Sequence, residues 1–315
     1  MVYQLKTKNK SADDSPSKNV GKLKSILSKV KYVAKNVVFV KKWSTDLKKE
    51  KLQEIKNFSN DFENKQNSKQ LDFSFNKYQI KIIRHPDPLL IKAKQLRQKS
   101  FFEYSKEKKL DSDQFDDFCD HLVVIDKSVA SDFVVGTYRL LLKRKNEKYR
   151  SFYSESEFDI SNLFKKKIAM LEAGRSCVDK NYRDGKIIKL LWRGLAFYII
   201  QKKVDLIFGC ASFPSSNFSE FATQLSYLNH FHSPPQKYST CPKEKLKADI
   251  NILPQKKIDE AQEFRLLPPL IKAYIRAGAW VGKGAVVDKK FNTTDVLIIL
   301  KSQNIIKKYS NLSFK

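Results

Sequence analysis

The stretch from Ile168 to Cys210 constrains the fold more than any other part of the chain. Ile168–Val178 reads as a strand, Arg183-Asp-Gly as a turn, Ile187–Lys203 as a long helix and Val204–Cys210 (VDLIFGC) as a second strand. Such a unit needs a sheet to lie on, and the preceding sequence supplies one. Gln79–Arg84 (QIKIIR), His121–Asp126 (HLVVID) and Phe133–Leu142 (FVVGTYRLLL) are strand-like, and the last two can pair across a turn at Lys127–Ser131. His85-Pro-Asp-Pro marks a turn, and Leu89 to about Tyr104 follows an amphipathic helical pattern. Ser219–Phe231 and Pro268–Ala277 read as helices, and Asp295–Leu300 (DVLIIL) as a final strand. Strands first, then strand–helix–strand, predict a mixed α/β sheet with helices on its faces.

Residues 1–75 differ from the rest. The first 50 hold 13 Lys against four acids. Within Val20–Trp43 the apolar residues Leu23, Ile26, Leu27, Val30, Val33, Val37 and Val40 recur at helical spacing, with lysines on the other face. Such a helix suits either an anionic membrane interface or the protein's own core. Residues 50–75 read as a polar linker, so the expected division is an extension over 1–75 and a globular domain over 76–315. The full chain carries 61 Lys and Arg against 34 Asp and Glu, a net +27, which predicts a polyanionic partner. Lys outnumbers Arg, the better base reader, and no nucleic-acid motif is present, so nucleic acid is not expected. No signal peptide or apolar run of membrane-spanning length is evident, which predicts a cytoplasmic location. Four cysteines and four histidines fall into no metal-ligand spacing, so no metal is expected.

The chemistry concentrates in Leu171–Lys186, LEAGRSCVDKNYRDGK. A helix beginning after Gly185 offers free backbone N–H groups and a positive dipole end, an anion site to which Arg183 adds charge. Glu172 lies in an apolar run. Such a carboxylate is either ion-paired, with Arg139 or Arg97 as candidates, or has a raised pKa and serves as a general base. Regular alternation puts Glu172 and Arg175 on opposite faces of the strand. The acidic cluster at Asp111, Asp113, Asp116, Asp117 and Asp120 binds a cationic amine, pairs with basic residues of the core, or is a solvated loop.

Taken together, Leu171–Val178 (LEAGRSCV), Tyr182-Arg-Asp-Gly, Leu191-Trp-Arg-Gly-Leu, Phe208–Phe213 (FGCASF), Leu267–Ala279 and Asp288–Val296 resemble the ornithine N-acyltransferases that make lyso-ornithine lipid. The likeness runs from about Tyr78 to Leu300. The same region resembles, more distantly, the acyl-homoserine-lactone synthases: Arg97 and Phe101 match their Arg-x-x-x-Phe, Asp113 and Asp116 their Asp-x-x-Asp, and Glu172 and Arg175 their Glu-x-x-Arg, with Arg139 as a further match. Both resemblances imply a GNAT-like, mostly antiparallel mixed sheet flanked by helices.

What the resemblance implies is direct transfer of a fatty or 3-hydroxyfatty acyl group from acyl carrier protein to the α-amine of ornithine. The enzyme then needs no bound cofactor, because the donor carries its own 4′-phosphopantetheine. Glu172 is the implied base, with Arg175 beside it. Ser176, Cys177, Val178, Arg183 and Gly185 are expected to hold the carrier arm, and Arg97, Phe101, Asp113, Asp116 and Arg139 the substrate. Acyl carrier protein and the inner membrane face are both acidic, which gives the basic extension a peripheral membrane role. Lactone synthesis and a basic nucleic-acid-binding protein are the alternatives. Cys177 and Cys210 are also weighed as acyl acceptors, although no His is fixed near either by sequence.

Overall fold

A computed structural model of the protein describes residues 71–102, 109–145, 147, 151–165 and 167–309. The amphipathic segment Val20–Trp43 lies outside these residues. Residues 71–75, read from sequence as the end of a linker, instead belong to the sheet. The apolar residues Leu71 and Phe73 are buried in the core, which draws this segment onto the edge of the domain.

Eleven strands form: β1 (Asp72–Phe75), β2 (Tyr78–Ile83), β3 (Asp120–Asp126), β4 (Val134–Lys143), β5 (Phe158–Asp159), β6 (Met170–Val178), β7 (Leu206–Phe213), β8 (Cys241–Pro242), β9 (Trp280–Val281), β10 (Val286–Asp288) and β11 (Thr293–Lys301). Nine make one sheet in the order β1-β2-β3-β4-β6-β7-β11-β10, with β9 also on β11; β5 and β8 pair separately. Every pairing in the large sheet is antiparallel except β6 with β7. That exception follows from chain order, because the long helix between the two strands carries the chain back to start β7 beside β6.

Six helices are used below: α1 (Leu89–Phe101), α2 (Lys186–Lys202), α3 (Ala222–Phe231), α4 (Glu260–Leu266), α5 (Pro269–Arg276) and α6 (Ser302–Tyr309). They cover both sheet faces. All seven residues of β3 are buried. Leu122 and Val124 pack in the cluster that includes Ile187, Leu191 and Leu195 of α2, while Val123 and Ile125 pack in the one that includes Leu90, Ala93 and Leu96 of α1. This is why HLVVID reads as a continuous apolar run instead of an alternating one. No described helix is long and apolar enough to cross a membrane.

Candidate active site

The parallel ladder of β6 and β7 is short. It pairs Met170 with Leu206, Leu171 with Ile207 and Glu172 with Phe208, and then stops, although β6 continues to Val178 and β7 to Phe213. The strands part at Glu172, and a cavity of about 660 Å³ opens between them. Residues Glu172–Ser176 line one side and Gly209–Ser212 the other. Close approach at the point of parting requires glycine at position 209, because a Cβ there would collide with the carbonyl oxygen of Ala173.

Glu172 is buried in this wall with its carboxylate fixed. One oxygen, Oε1, accepts from Ser154 N–H at 2.7 Å and Ser154 Oγ at 2.6 Å, and Oε2 accepts from Tyr153 N–H at 2.9 Å. The donors belong to a 3-10 turn, Tyr153–Ser156, whose free N–H groups suit an anion. Burial raises the Glu172 pKa above the usual carboxylate value, and the Ser154 and Tyr153 hydrogen bonds offset part of that rise. No ion pair forms between Glu172 and Arg139 or Arg97.

Arg175 does not face away from Glu172, as regular alternation predicts. The β4–β6 register shifts, with Thr137 opposite Cys177 but Arg139 opposite Gly174, and Arg175 takes a left-handed φ of 50°. This bulge turns the Arg175 side chain onto the cavity. Left-handed backbone is costly for a residue with a Cβ. Here it is held by ion pairs to Asp111 (3.3 Å) and Asp113 (3.1 Å), with the guanidinium 4.6 Å from the ring centres of both Tyr153 and Phe291.

The acidic loop is engaged by arginines. Arg97, fully buried, bonds Asp116 through both terminal nitrogens (2.7 and 3.1 Å) and Asp111 through Nε (2.6 Å). Arg139 Nη1 contacts Asp113 at 2.5 Å and Asp116 at 3.2 Å. Burial alone would raise the Asp116 carboxyl, but the Arg97 hydrogen bonds and the Arg97 and Arg139 charges hold it well below the usual range. Asp113 is lowered in the same way by Arg139 and Arg175.

Of the residues expected from sequence, the fold brings Glu172, Arg175, Ser176, Arg139 and Phe101 to the cavity. Arg97, Asp113 and Asp116 support it from behind and do not line it. Cys177 turns into the core under α1, and burial pushes its thiol up to about 12. Cys210 lines the cavity, but burial raises its thiol well above the ordinary value, so neither cysteine offers a thiolate. Val178, Arg183 and Gly185 lie beyond the cavity where the chain enters α2. Gly185 is the helix N-cap with φ 90°, Arg183 Nε donates to the Val178 carbonyl at 3.2 Å, and Asp184 accepts the Lys186 N–H at 2.9 Å.

Sequence reasoning missed Tyr153, Ser154, Tyr274, Phe291 and Asp295, all of which line the cavity. Asp295 and Phe291 fall inside the Asp288–Val296 block, to which no role was attached. Among the described residues, one trio of carboxylates has oxygens within 4.8 Å of one another: Glu157, Asp288 and Asp295.

A sheet whose one parallel pair opens into a cleft, with a buried carboxylate at the point of parting, defines an acyltransferase of the GNAT fold. Residues 96–193 match the acetyltransferase (GNAT) domain family. The chain is 41% identical over 209 residues to the L-ornithine N(alpha)-acyltransferase of Rhizobium meliloti, covering 65% of this chain and 71% of that one. It is 39% identical over 207 residues to the enzyme of that name from Agrobacterium fabrum, covering 64% and 71%. The chain therefore belongs to the L-ornithine N(alpha)-acyltransferase family. Among solved structures, the acyl-homoserine-lactone synthase LasI overlaps 76% of this chain and 98% of its own at 13% identity, with a TM-score of 0.41, too low to carry an argument.

Proposed function

We propose that this enzyme transfers a fatty or 3-hydroxyfatty acyl group from the phosphopantetheine thioester of acyl carrier protein to the α-amine of ornithine. The observation that carries the reading is Glu172, a fixed and buried carboxylate where β6 and β7 part, joined to family membership.

The thioester enters the cleft between β6 and β7, with its acyl chain against Phe101, Phe102, Leu270 and Phe291. The arm's single phosphate rests outside, near Arg183 and the N-terminus of α2. The acceptor's α-ammonium gives its proton to Glu172, directly or through one water. The freed amine attacks the thioester carbon and forms a tetrahedral oxyanion. Backbone N–H groups of β6 near Ser176 stabilise that charge, as does the fixed guanidinium of Arg175. Collapse expels the carrier thiolate, which takes up the second proton released by the attacking nitrogen, and leaves an amide and a free carrier thiol. Asp113 and Asp116 act through Arg139 and Arg175, which they hold in place. Holding both reactants in one cleft supplies much of the acceleration.

The chain's +27 charge suits both an acidic carrier protein and an anionic bilayer. In this reading the basic residues 1–70 keep the enzyme at the membrane, and their deletion, which leaves β1 in place, weakens sedimentation with anionic vesicles more than turnover of soluble substrates. The reaction itself is tested with the purified chain, acyl carrier protein charged with a 3-hydroxyacyl group, and ornithine. Mass spectrometry with fragmentation then reads an Nα-acyl-ornithine. Absence of any acyl-amine with fully charged donor would overturn the reading.

A further inference from the structure

Beside the cavity lies a cluster of carboxylates that the mechanism above does not use, one of which reaches its wall. Asp295 of β11 lines it, opposite Ser212 of β7 in the ladder. Glu157 follows the 3-10 turn that holds Glu172, and Asp288 closes β10. Glu157 is 4% exposed and Asp295 5%, yet Glu157 Oε2 and Asp295 Oδ1 have no hydrogen-bond partner. Asp288 Oδ1 already accepts the backbone N–H groups of Lys290 (2.8 Å) and Phe291 (3.1 Å). Among the described residues, no Lys, Arg or His forms an ion pair with any of the three. The contrast with Asp111, Asp113 and Asp116 is sharp, since that trio is saturated by three arginines.

A buried carboxylate oxygen left without a partner is costly and calls for a cation. We propose that Glu157 and Asp295, with Asp288 behind them, bind the side-chain ammonium of the acceptor and select a diamino acid. This rests on the reading of the cavity as the acyl-transfer site. The spacing suits it. Ser154 Oγ stands 2.6 Å from Glu172 Oε1 and 3.5 Å from Cys210 Sγ, and Cys210 neighbours Glu157. One side-chain layer thus separates the base from the cluster. The two nitrogens of an extended ornithine are five bonds and roughly 6 Å apart, at ~1.25 Å of advance per bond along the zigzag. With its α-amine at Glu172, an extended ornithine is long enough for the other nitrogen to reach past Ser154 and Cys210 toward the carboxylates. Burial raises the pKa of both Glu157 and Asp295; the charges of Asp295 and Asp288 add to the rise at Glu157 and that of Asp288 to the rise at Asp295, and a bound ammonium would offset them.

The test compares ornithine with norvaline, which has the same carbon chain and no side-chain amine, in the full-length enzyme and its Asp295→Asn and Glu157→Gln variants. The wild type is expected to favour ornithine in kcat/KM by about tenfold or more. Both variants should bring that ratio close to one, through a raised KM for ornithine. Equal losses on both substrates would overturn the proposal. If the wild type acylates neither amino acid, the reaction reading fails, and calorimetry decides the cluster alone. Binding of ornithine in preference to norvaline, lost in Asp295→Asn, supports it, and no preference overturns it. Titration with Mn²⁺ covers the metal alternative. Mn²⁺ binding that depends on Asp295, with the ornithine preference intact in the variant, would assign the cluster to a divalent cation instead.

Discussion

Arg175 opens onto the same cavity as Glu172, three residues earlier on the same strand. The bulge opposite Thr137–Arg139 supplies the extra half-turn, and the left-handed φ of Arg175 is its local cost. In the proposed mechanism the carboxylate that takes a proton and the guanidinium that meets negative charge thus share one wall of the cavity.

Glu172→Gln is expected to lower turnover by roughly 10²–10⁴-fold, the usual worth of a positioned base. Both oxygens of Glu172 accept hydrogen bonds, so the amide of Gln must face a donor with a donor. Some stability is lost too, about 1–3 kcal/mol. Ser154→Ala separates the two effects. It removes one donor that favours the ionised carboxylate, so the Glu172 pKa rises further and the acidic limb of kcat/KM moves to higher pH. A limb that stays put in Ser154→Ala would remove Glu172 from the base role.

Asp116→Asn leaves Arg97 buried with half its partners and is expected to cost roughly 3–5 kcal/mol of stability. The sign with pH follows from the lowered Asp116 pKa. Its contribution is present above the unfolded value of about 3.9 and fades as pH falls below it. Urea unfolding at pH 7 and pH 3 checks this, because the gap between wild type and variant should narrow at the lower pH.

The central strands, α1, α2 and the terminal strand were legible because their apolar runs are long and bounded by turn residues. So was Glu172 as an acid placed in a buried strand, where the fold indeed encloses it. The face of Arg175 was not legible, because a bulge leaves no mark in a period-two pattern. Asp113 and Asp116 showed up as charge, but only the fold shows that Arg97, Arg139 and Arg175 already hold them. The trio of Glu157, Asp288 and Asp295 was hidden by distance along the chain, since β5–β8 and β10–β11 meet there only in three dimensions.

Gly209→Ala is expected to separate β6 from β7. The new Cβ would meet backbone, the carbonyl of Ala173, and not the end of a flexible side chain. Overpacking of this kind costs typically 1–3 kcal/mol, about enough to lower the melting temperature by several degrees. Because the shift falls where the proposed mechanism brings in the thioester, kcat/KM for the acyl donor should fall more than stability alone explains. A variant with normal melting temperature and normal donor kinetics would show that the cleft does not depend on this contact.

The empty carboxylate cluster carries a stability signature opposite to that of Asp116. Glu157 and Asp295 have folded pKa values raised above their unfolded ones by burial first, then by Asp295 and Asp288 at Glu157 and by Asp288 at Asp295. Groups shifted this way stabilise the fold below the ordinary carboxylate range, and that stability is lost as pH rises toward neutrality. Glu172 shifts in the same direction, and Arg175 opposes the rise at Asp295, so the comparison must be between variants of one residue. Asp295→Asn removes one charge and keeps a polar group beside Ser212 and Thr293. Without substrate it should therefore melt at a higher temperature than the wild type at pH 7.5, with the difference vanishing near pH 4. Adding ornithine should reverse the order at pH 7.5, because only the wild type gains a counter-charge. A substrate-free variant that is less stable than the wild type across this range would mean that Asp295 is already satisfied in the fold and has no cation to wait for.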